Sequence, residues 1–380
     1  MKHFKKLSHR LAVSGSASAL ALAMGTTSVY AADDSMIAEV IVTAQKREEN
    51  LRDVPVSITA VGSQELERLH VTQLTDIASY VPGFQVDSTG SPGQTMLSLR
   101  GVAPVGPGQT VGTYIDDTPV GSSSFYARSV AFALDLLPYD IERMEVLRGP
   151  QGTLYGASTI GGLLKYVTRS PDLDSFEFRA GAEVMSVADA DDVGMGGRVG
   201  LNAPLIDGKL AVRASYAYLK TPGYIDNPVL GIEDQNEYEQ DGGRLALLWQ
   251  ISDAVSLRLS GVWQSVDSDD NATEVFSLPP DSEAFNGGRS NNNVVSQPFT
   301  KDIAYYSATL DWDLGWATFL SATSYSDTDT LQIQDGTPLY GIVLDLFAGI
   351  PDARMPFTLG LGLEKWTQEF RLASKTEGAV

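Results

Sequence analysis

The stretch Ile141–Gly162, IERMEVLRGPQGTLYGASTIGG, is where the residue types invite chemistry. An alternating strand runs into Arg148-Gly149-Pro150, and glycines follow at positions 152, 156, 161 and 162. A phosphate-cradling loop sets a lysine directly beside its glycines. Here Lys165 comes two leucines after the last pair, on what reads as a strand, and no helical pattern follows to complete a dinucleotide fingerprint. A Gly-x-Ser-x-Gly elbow is absent from the stretch as well. The chain has no cysteine and three histidines, two of which, His3 and His9, lie in the N-terminal segment. Thiol and zinc-knuckle chemistry are thereby excluded, and no nucleophile–base pair can be assembled. We therefore expect no enzyme and no cofactor. His70, beside a predicted helix, reads as structural. The acidic runs Asp189-Ala190-Asp191-Asp192 and Asp267-Ser268-Asp269-Asp270-Asn271 read as solvated loop tips rather than calcium sites.

The elements that must hold this stretch follow from composition and periodicity. The 380 residues are 43% hydrophobic, with 36 glycines and a formal charge of −21, which excludes a nucleic-acid partner. Residues 1–31 read as a secretory signal. Lys2, Lys5, Lys6 and Arg10 precede a short apolar stretch from Leu11 to Met24, and Val29-Tyr30-Ala31 supplies a cleavage pattern. No later apolar run has helix-spanning length, so membrane residence requires a β-barrel.

Val54 to about Thr168 reads as an α/β unit. Strands are expected around Val56–Ala60, Leu97–Gly101, Val111–Asp116 and Ile141–Leu147. Short helices are expected at Gln64–Leu69, capped by Ser63, and Leu74–Tyr80, capped by Thr72. From Ser175 the period becomes two. Strands are expected near 175–187, 194–203, 209–220, 240–251, 254–265, 303–313, 315–327 and 364–373. Their connections alternate between tight turns and long acidic loops at 221–239, 266–302 and 328–363, the pattern of an outer-membrane barrel. Tyr216, Tyr218, Trp249, Trp263, Tyr305, Tyr306, Trp312, Trp316 and Tyr325 are expected to form interfacial girdles.

With these features in order, the chain resembles the TonB-dependent outer-membrane receptors. Glu39-Val40-Ile41-Val42-Thr43-Ala44 resembles the TonB box, and Gln45 to Leu51 with Asp53-Val54-Pro55 resembles the lead-in to a plug. Leu99-Arg100-Gly101, Tyr114-Ile115-Asp116 and Ile141 to Gly156 resemble plug motifs, and Gln368 to Ser374 a recurring barrel strand. Asp117 stands where the family more often has glycine.

The resemblance implies an α+β plug followed by antiparallel transmembrane strands, about eight of the family's 22. It implies a signal at 1–31, a periplasmic leader at 32–53 holding the box at 39–44, a plug at 54–170 and barrel strands at 171–380. The location implied is the outer membrane of a Gram-negative bacterium, with the N-terminus periplasmic. The implied partners are TonB with its inner-membrane energising complex, outer-membrane lipid and a small ligand such as a metal chelate. TonB would add a strand to Glu39–Ala44, which requires an accessible segment able to form β-structure.

The function implied is energised import of a scarce nutrient, foremost a ferric siderophore. A passive porin and an oligosaccharide or cobalamin importer are the alternatives. Eight strands are too few to surround a plug of this size, so we expect a piece of a longer receptor or a truncated product. Arg100 and Arg148 each end a strand ahead of a glycine. Buried guanidinium groups demand carboxylates, so these two are expected to latch plug to barrel through Glu142, Glu145 and Glu369. Glu369 shares a lumen-facing side with Arg371, opposite Phe370 and Leu372.

Overall fold

The computed structural model describes residues 41–43, 45–47, 49–106, 108–122, 133–276 and 283–375. The signal segment, Glu39, Val40 and Ala44 lie outside the described residues. Among the described residues no helix is long and apolar enough to cross a membrane.

The N-terminal part is an α+β unit. Strand β1 (Ile41–Val42) pairs antiparallel with β2 (Glu49–Asn50). Then follow β3 (Ser57–Gly62), α1 (Ser63–Arg68), α2 (Leu74–Ala78), β4 (Phe84–Ser88) and β5 (Thr95–Leu99). The remainder of the unit is β6 (Val111–Ile115), β7 (Thr118–Val120), β8 (Ile141–Arg148), α3 (Gly152–Tyr155) and β9 (Gly162–Thr168). Five strands form one sheet in the order β3-β8-β9-β6-β7, with β6 and β9 parallel, while β4 and β5 form a separate hairpin. The interior strand β8 is buried on both faces. Met144 and Val146 join Leu66, Leu74, Ile77 and Tyr166 in one core, and Leu147 joins Val42, Tyr114 and Tyr155 in another. Strand-like alternation is therefore muted there, as expected for a doubly covered strand.

Three local expectations need correction. Gln73, not Thr72, caps α2, in a reciprocal capping box with Asp76. Ser63 is the first helical residue of α1, behind Gly62, and gives no side-chain cap. Strands β4 and β7, and the short helix α3, fall in segments where no element is expected from the sequence.

The remaining strands form one antiparallel meander of eight in sequential order. They are β10 (Glu177–Ser186), β11 (Val193–Ile206), β12 (Leu210–Thr221), β13 (Tyr238–Ser252), β14 (Val255–Ser268), β15 (Phe299–Asp313), β16 (Ala317–Asp335) and β17 (Pro356–Ser374). Number and order match the alternation pattern. The last long connection does not, because β16 and β17 pair continuously from Ala317↔Ser374 to Asp335↔Pro356, and helix α4 (Thr337–Ala348) fills the tip. Polar residues at 328–335 disguised the extension of β16, and the glycines at 360 and 362 that of β17.

One face of the meander wraps the α+β unit, and Val262, Ile303 and Tyr305 enter its core. The other face carries exposed Leu245, Leu259, Phe370 and Leu372 between two tiers of aromatics. Trp249, Trp312 and Trp316 lie toward the tight turns, while Tyr216, Trp263, Tyr306 and Trp366 lie toward the long connections. Tyr305 departs from the girdle expectation. It is 1% exposed and faces inward, because adjacent residues of a strand point to opposite faces.

Candidate functional site

The charged groups converge where the α+β unit meets the inner face of the meander, in two clusters and one cavity. The first cluster forms around Asp140, a residue with positive φ (66°) at the entry to β8. Its carboxylate accepts from Arg213 Nε of β12 at 2.5 Å and from Arg244 NH1 of β13 at 2.6 Å. All three side chains are nearly inaccessible. Next to it, Gln264 Nε2 donates to the Asp135 carbonyl at 2.7 Å, Leu137 N donates to Gln264 Oε1 at 2.9 Å, and Lys301 Nζ donates to the Ala133 carbonyl at 2.7 Å. Burial pushes the Asp135 carboxyl up to about 7, although the Leu74 N–H and the Lys301 charge both oppose the shift.

The second cluster holds the segment after β1. Thr43 N donates to Glu145 Oε1 at 2.9 Å, Lys165 Nζ donates to Thr43 Oγ1 at 2.7 Å, and Tyr155 OH donates to the Thr43 carbonyl at 3.3 Å. Lys46 pairs with Glu369 of β17 and lies over the Tyr155 ring, 5.2 Å from its centroid. Arg371 NH1 donates to the Lys46 carbonyl at 2.8 Å, and its NH2 reaches Asp117 Oδ1 at 3.1 Å and Glu369 Oε1 at 3.0 Å. Burial alone would raise the Asp117 pKa, but the Lys165 and Arg371 charges overcome it and hold the carboxyl below its ordinary value. Burial lowers the Lys165 ammonium, against the pull of Asp117 and Glu145. Between the two units lies a cavity of about 610 Å³, bounded by Lys46, Asp117, Lys165, Arg258, Thr318 and Arg371 among others.

Of the residues expected to latch plug to barrel, Glu369 contacts the N-terminal unit through Lys46. Arg148 donates to the Pro82 carbonyl at 3.2 Å inside its own unit, and Arg100 is exposed at the end of β5. Neither forms an ion pair with the meander among the described residues. Glu142 and Glu145 both pair with Arg143 of their own strand, at 2.6 and 2.8 Å. The reason is sheet order: β8 lies between β3 and β9, so its end meets its own loops rather than the wall. Asp117, Asp140, Arg213, Arg244 and Lys301 were missed. For the arginines and Lys301, the available signal was a charge on the inward parity of a barrel strand.

Nor is the segment at Val42–Thr43 openly accessible, although Ile41 is exposed. Val42 is fully buried and paired with Glu49, and Thr43 is held through its N–H, carbonyl and hydroxyl. The acidic runs are also less free than expected. Asp189 pairs with Arg289 at 3.0 Å, and Asp270 is buried, accepting from Gln297 N and Asn271 N. No group of three or more His, Asp or Glu is placed to hold a metal among the described residues.

Comparison with known proteins agrees with this architecture. Residues 50–163 match the model of the TonB-dependent Receptor Plug Domain. The vitamin B12 transporter of Vibrio vulnificus is 29% identical over 232 residues, 60% of this chain and 35% of that protein. The ferrichrome outer membrane transporter/phage receptor of Escherichia coli is 32% identical over 145 residues, 37% of this chain and 18% of that one. The crystal structure of the ferric yersiniabactin uptake receptor of Yersinia pestis superposes with a TM-score of 0.67 at 19% identity, covering 85% of this chain and 46% of that one. The chain therefore spans less than half the length of each of these relatives.

Proposed function

Since the chain belongs to the TonB-dependent receptors, we propose that it serves energised import across the outer membrane of a scarce nutrient, foremost a ferric siderophore. In this reading Glu39–Ala44 is the strand offered to TonB. Residues 1–31 are a signal, 32–53 a periplasmic leader, 54–170 the plug and 171–380 barrel wall. Outer-membrane lipid contacts the aromatic-tiered face, and a metal chelate is the ligand.

The observation that carries the reading is the clasp at Thr43 and Lys46. A segment predisposed to β-structure is tied at once to the plug through Glu145 and Lys165 and to the wall through Glu369 and Arg371. Such a tether has a purpose in a device that is pulled, because its bonds lie where force on the N-terminal segment arrives first. A passive pore needs neither the clasp nor a plug.

Deletion of Glu39–Ala44 from the gene encoding this chain tests the proposal, with radiolabelled ferrichrome and cobalamin supplied separately to energised cells. We expect concentrative ferric-chelate uptake to vanish while cell-surface binding persists. Uptake that survives both the deletion and a proton uncoupler would establish diffusion instead. Accumulation of cobalamin alone would transfer the assignment to the vitamin class that one relative's name carries.

A further inference from the structure

The Asp140 cluster is short of negative charge. The guanidinium groups of Arg213 and Arg244 share its one buried carboxylate. Glu177 adds a partner for Arg213 alone, from a side chain 33% exposed. Arg198 brings a third guanidinium, 5.7 Å from the centroid of the Tyr139 ring. Arg244 donates to Asp140, but among the described residues its Nε and Nη2 are buried without an acceptor. The hydroxyl of Tyr139, the residue before Asp140, is likewise buried without a partner. Leaving buried donors unmade is costly, and most so on a charged group.

These donors belong to residues that border one space. A cavity of about 40 Å³ lies between the segment 136–141 and strands β12 to β14, bordered by Tyr139, Asp140, Arg244, Ser215, Ala217 and Gly242 among others. Strand register explains it. Gly200, Ser215 and Arg244 stand side by side across β11, β12 and β13, and Ala217 and Gly242 pair in a neighbouring row. Small residues on the inward parity leave room that longer side chains would fill. Tyr139 stands over Gly200, where a Cβ would lie 3.0 Å from its hydroxyl oxygen. Tyr139 and Arg244 thus border the cavity from wall positions two strand spacings apart, roughly 10 Å.

We propose that this cavity is a binding site for one small monovalent anion, chloride in ordinary media, held by Arg244 Nε and Nη2 together with the Tyr139 hydroxyl. Such an ion supplies the charge that two guanidinium groups around one carboxylate lack, and the acceptor that their free donors lack. Water would supply the acceptor without the charge. A dianion such as phosphate would bring more charge than the surplus and more oxygens than three donors satisfy. The site joins plug to wall at the entry to β8, and it does not depend on what is imported.

The protein expressed from its whole reading frame and purified in detergent micelles serves for two measurements. In crystals grown with bromide in place of chloride, anomalous scattering at the bromine edge should place a halide within hydrogen-bonding distance of Arg244 Nε or Nη2. In solution, melting is followed as chloride replaces gluconate at constant ionic strength. The transition should rise by roughly 1–3 °C for each tenfold increase in chloride above its dissociation constant. Arg244→Gln should melt lower and lose this dependence. Tyr139→Phe, which removes one donor and keeps the ring over Gly200, should need roughly tenfold more chloride for the same rise. Density at the site without a bromine signal would assign it to water and overturn the proposal. A bromine peak without chloride-dependent melting would mean binding at crystal concentration only, and would overturn it equally. So would the same chloride response in Arg244→Gln as in the native protein, since the ion would then act elsewhere. The bromide crystals and the native titration need no variant, so the test stands even if Arg244→Gln does not fold.

Discussion

At the scale of single residues, buried charge dominates this interface. Asp140 faces two guanidinium groups, and removing one partner of such a set leaves uncompensated charge costing about 3–5 kcal/mol. Asp135 is the complementary case, a carboxyl 1% exposed whose pKa is raised by burial to about 7. A carboxyl with a raised folded-state pKa favours the fold while protonated. Its contribution is complete below the unfolded value of 3.8, declines as pH rises toward about 7, and is gone above that. Asp135→Asn should therefore gain thermal stability relative to the native protein between about pH 5 and about pH 8. Melting curves in micelles at the two pH values would measure this, and a constant difference would mean that Lys301 keeps Asp135 ionised throughout.

At the scale of elements, the glycines after β8 resolve into a packing requirement. Gly162 opens β9 with φ +151°, and a Cβ there would come within 2.2 Å of the Leu147 carbonyl oxygen. Gly162→Ala should force β8 and β9 apart at their Arg148↔Gly162 end, costing on the order of 1–3 kcal/mol. Faster amide exchange at Leu147 and Leu163 is the expected signature, and native protection there would show that the backbone relaxes without loss. The motif's resemblance was legible in the sequence. The Pro82 carbonyl as the partner of Arg148 was not, because position along the chain says nothing about sheet order. A strand placed second in a five-stranded sheet presents its end to its own domain.

At the scale of the whole molecule, two faces of one meander do opposite work. The inner face carries Arg213, Arg244, Gln264, Lys301, Glu369 and Arg371 against the plug. The outer face presents Phe370, stacked on Phe319 at 6.2 Å, below the Tyr325–Trp366 pair. Phe370→Arg should cost about 2–4 kcal/mol of membrane stability if the position lies near the bilayer midplane. Equilibrium folding into lipid vesicles under denaturant would measure the penalty. A cost near zero would remove this face from the hydrocarbon.

Periodicity in the sequence determined the strand count and order, the sidedness of the turns and the aromatic tiers, because a period of two is a local consequence of the pleat. Tertiary structure alone decided which charges meet. Lys46 and Glu369 stand 323 residues apart, and Arg371 and Asp117 stand 254 apart. Their meeting depends on how the plug sheet is ordered and on how the meander wraps it, and no local pattern encodes either. The same packing closed the segment at Val42–Thr43, turning a strand that reads as available into one that must first be released.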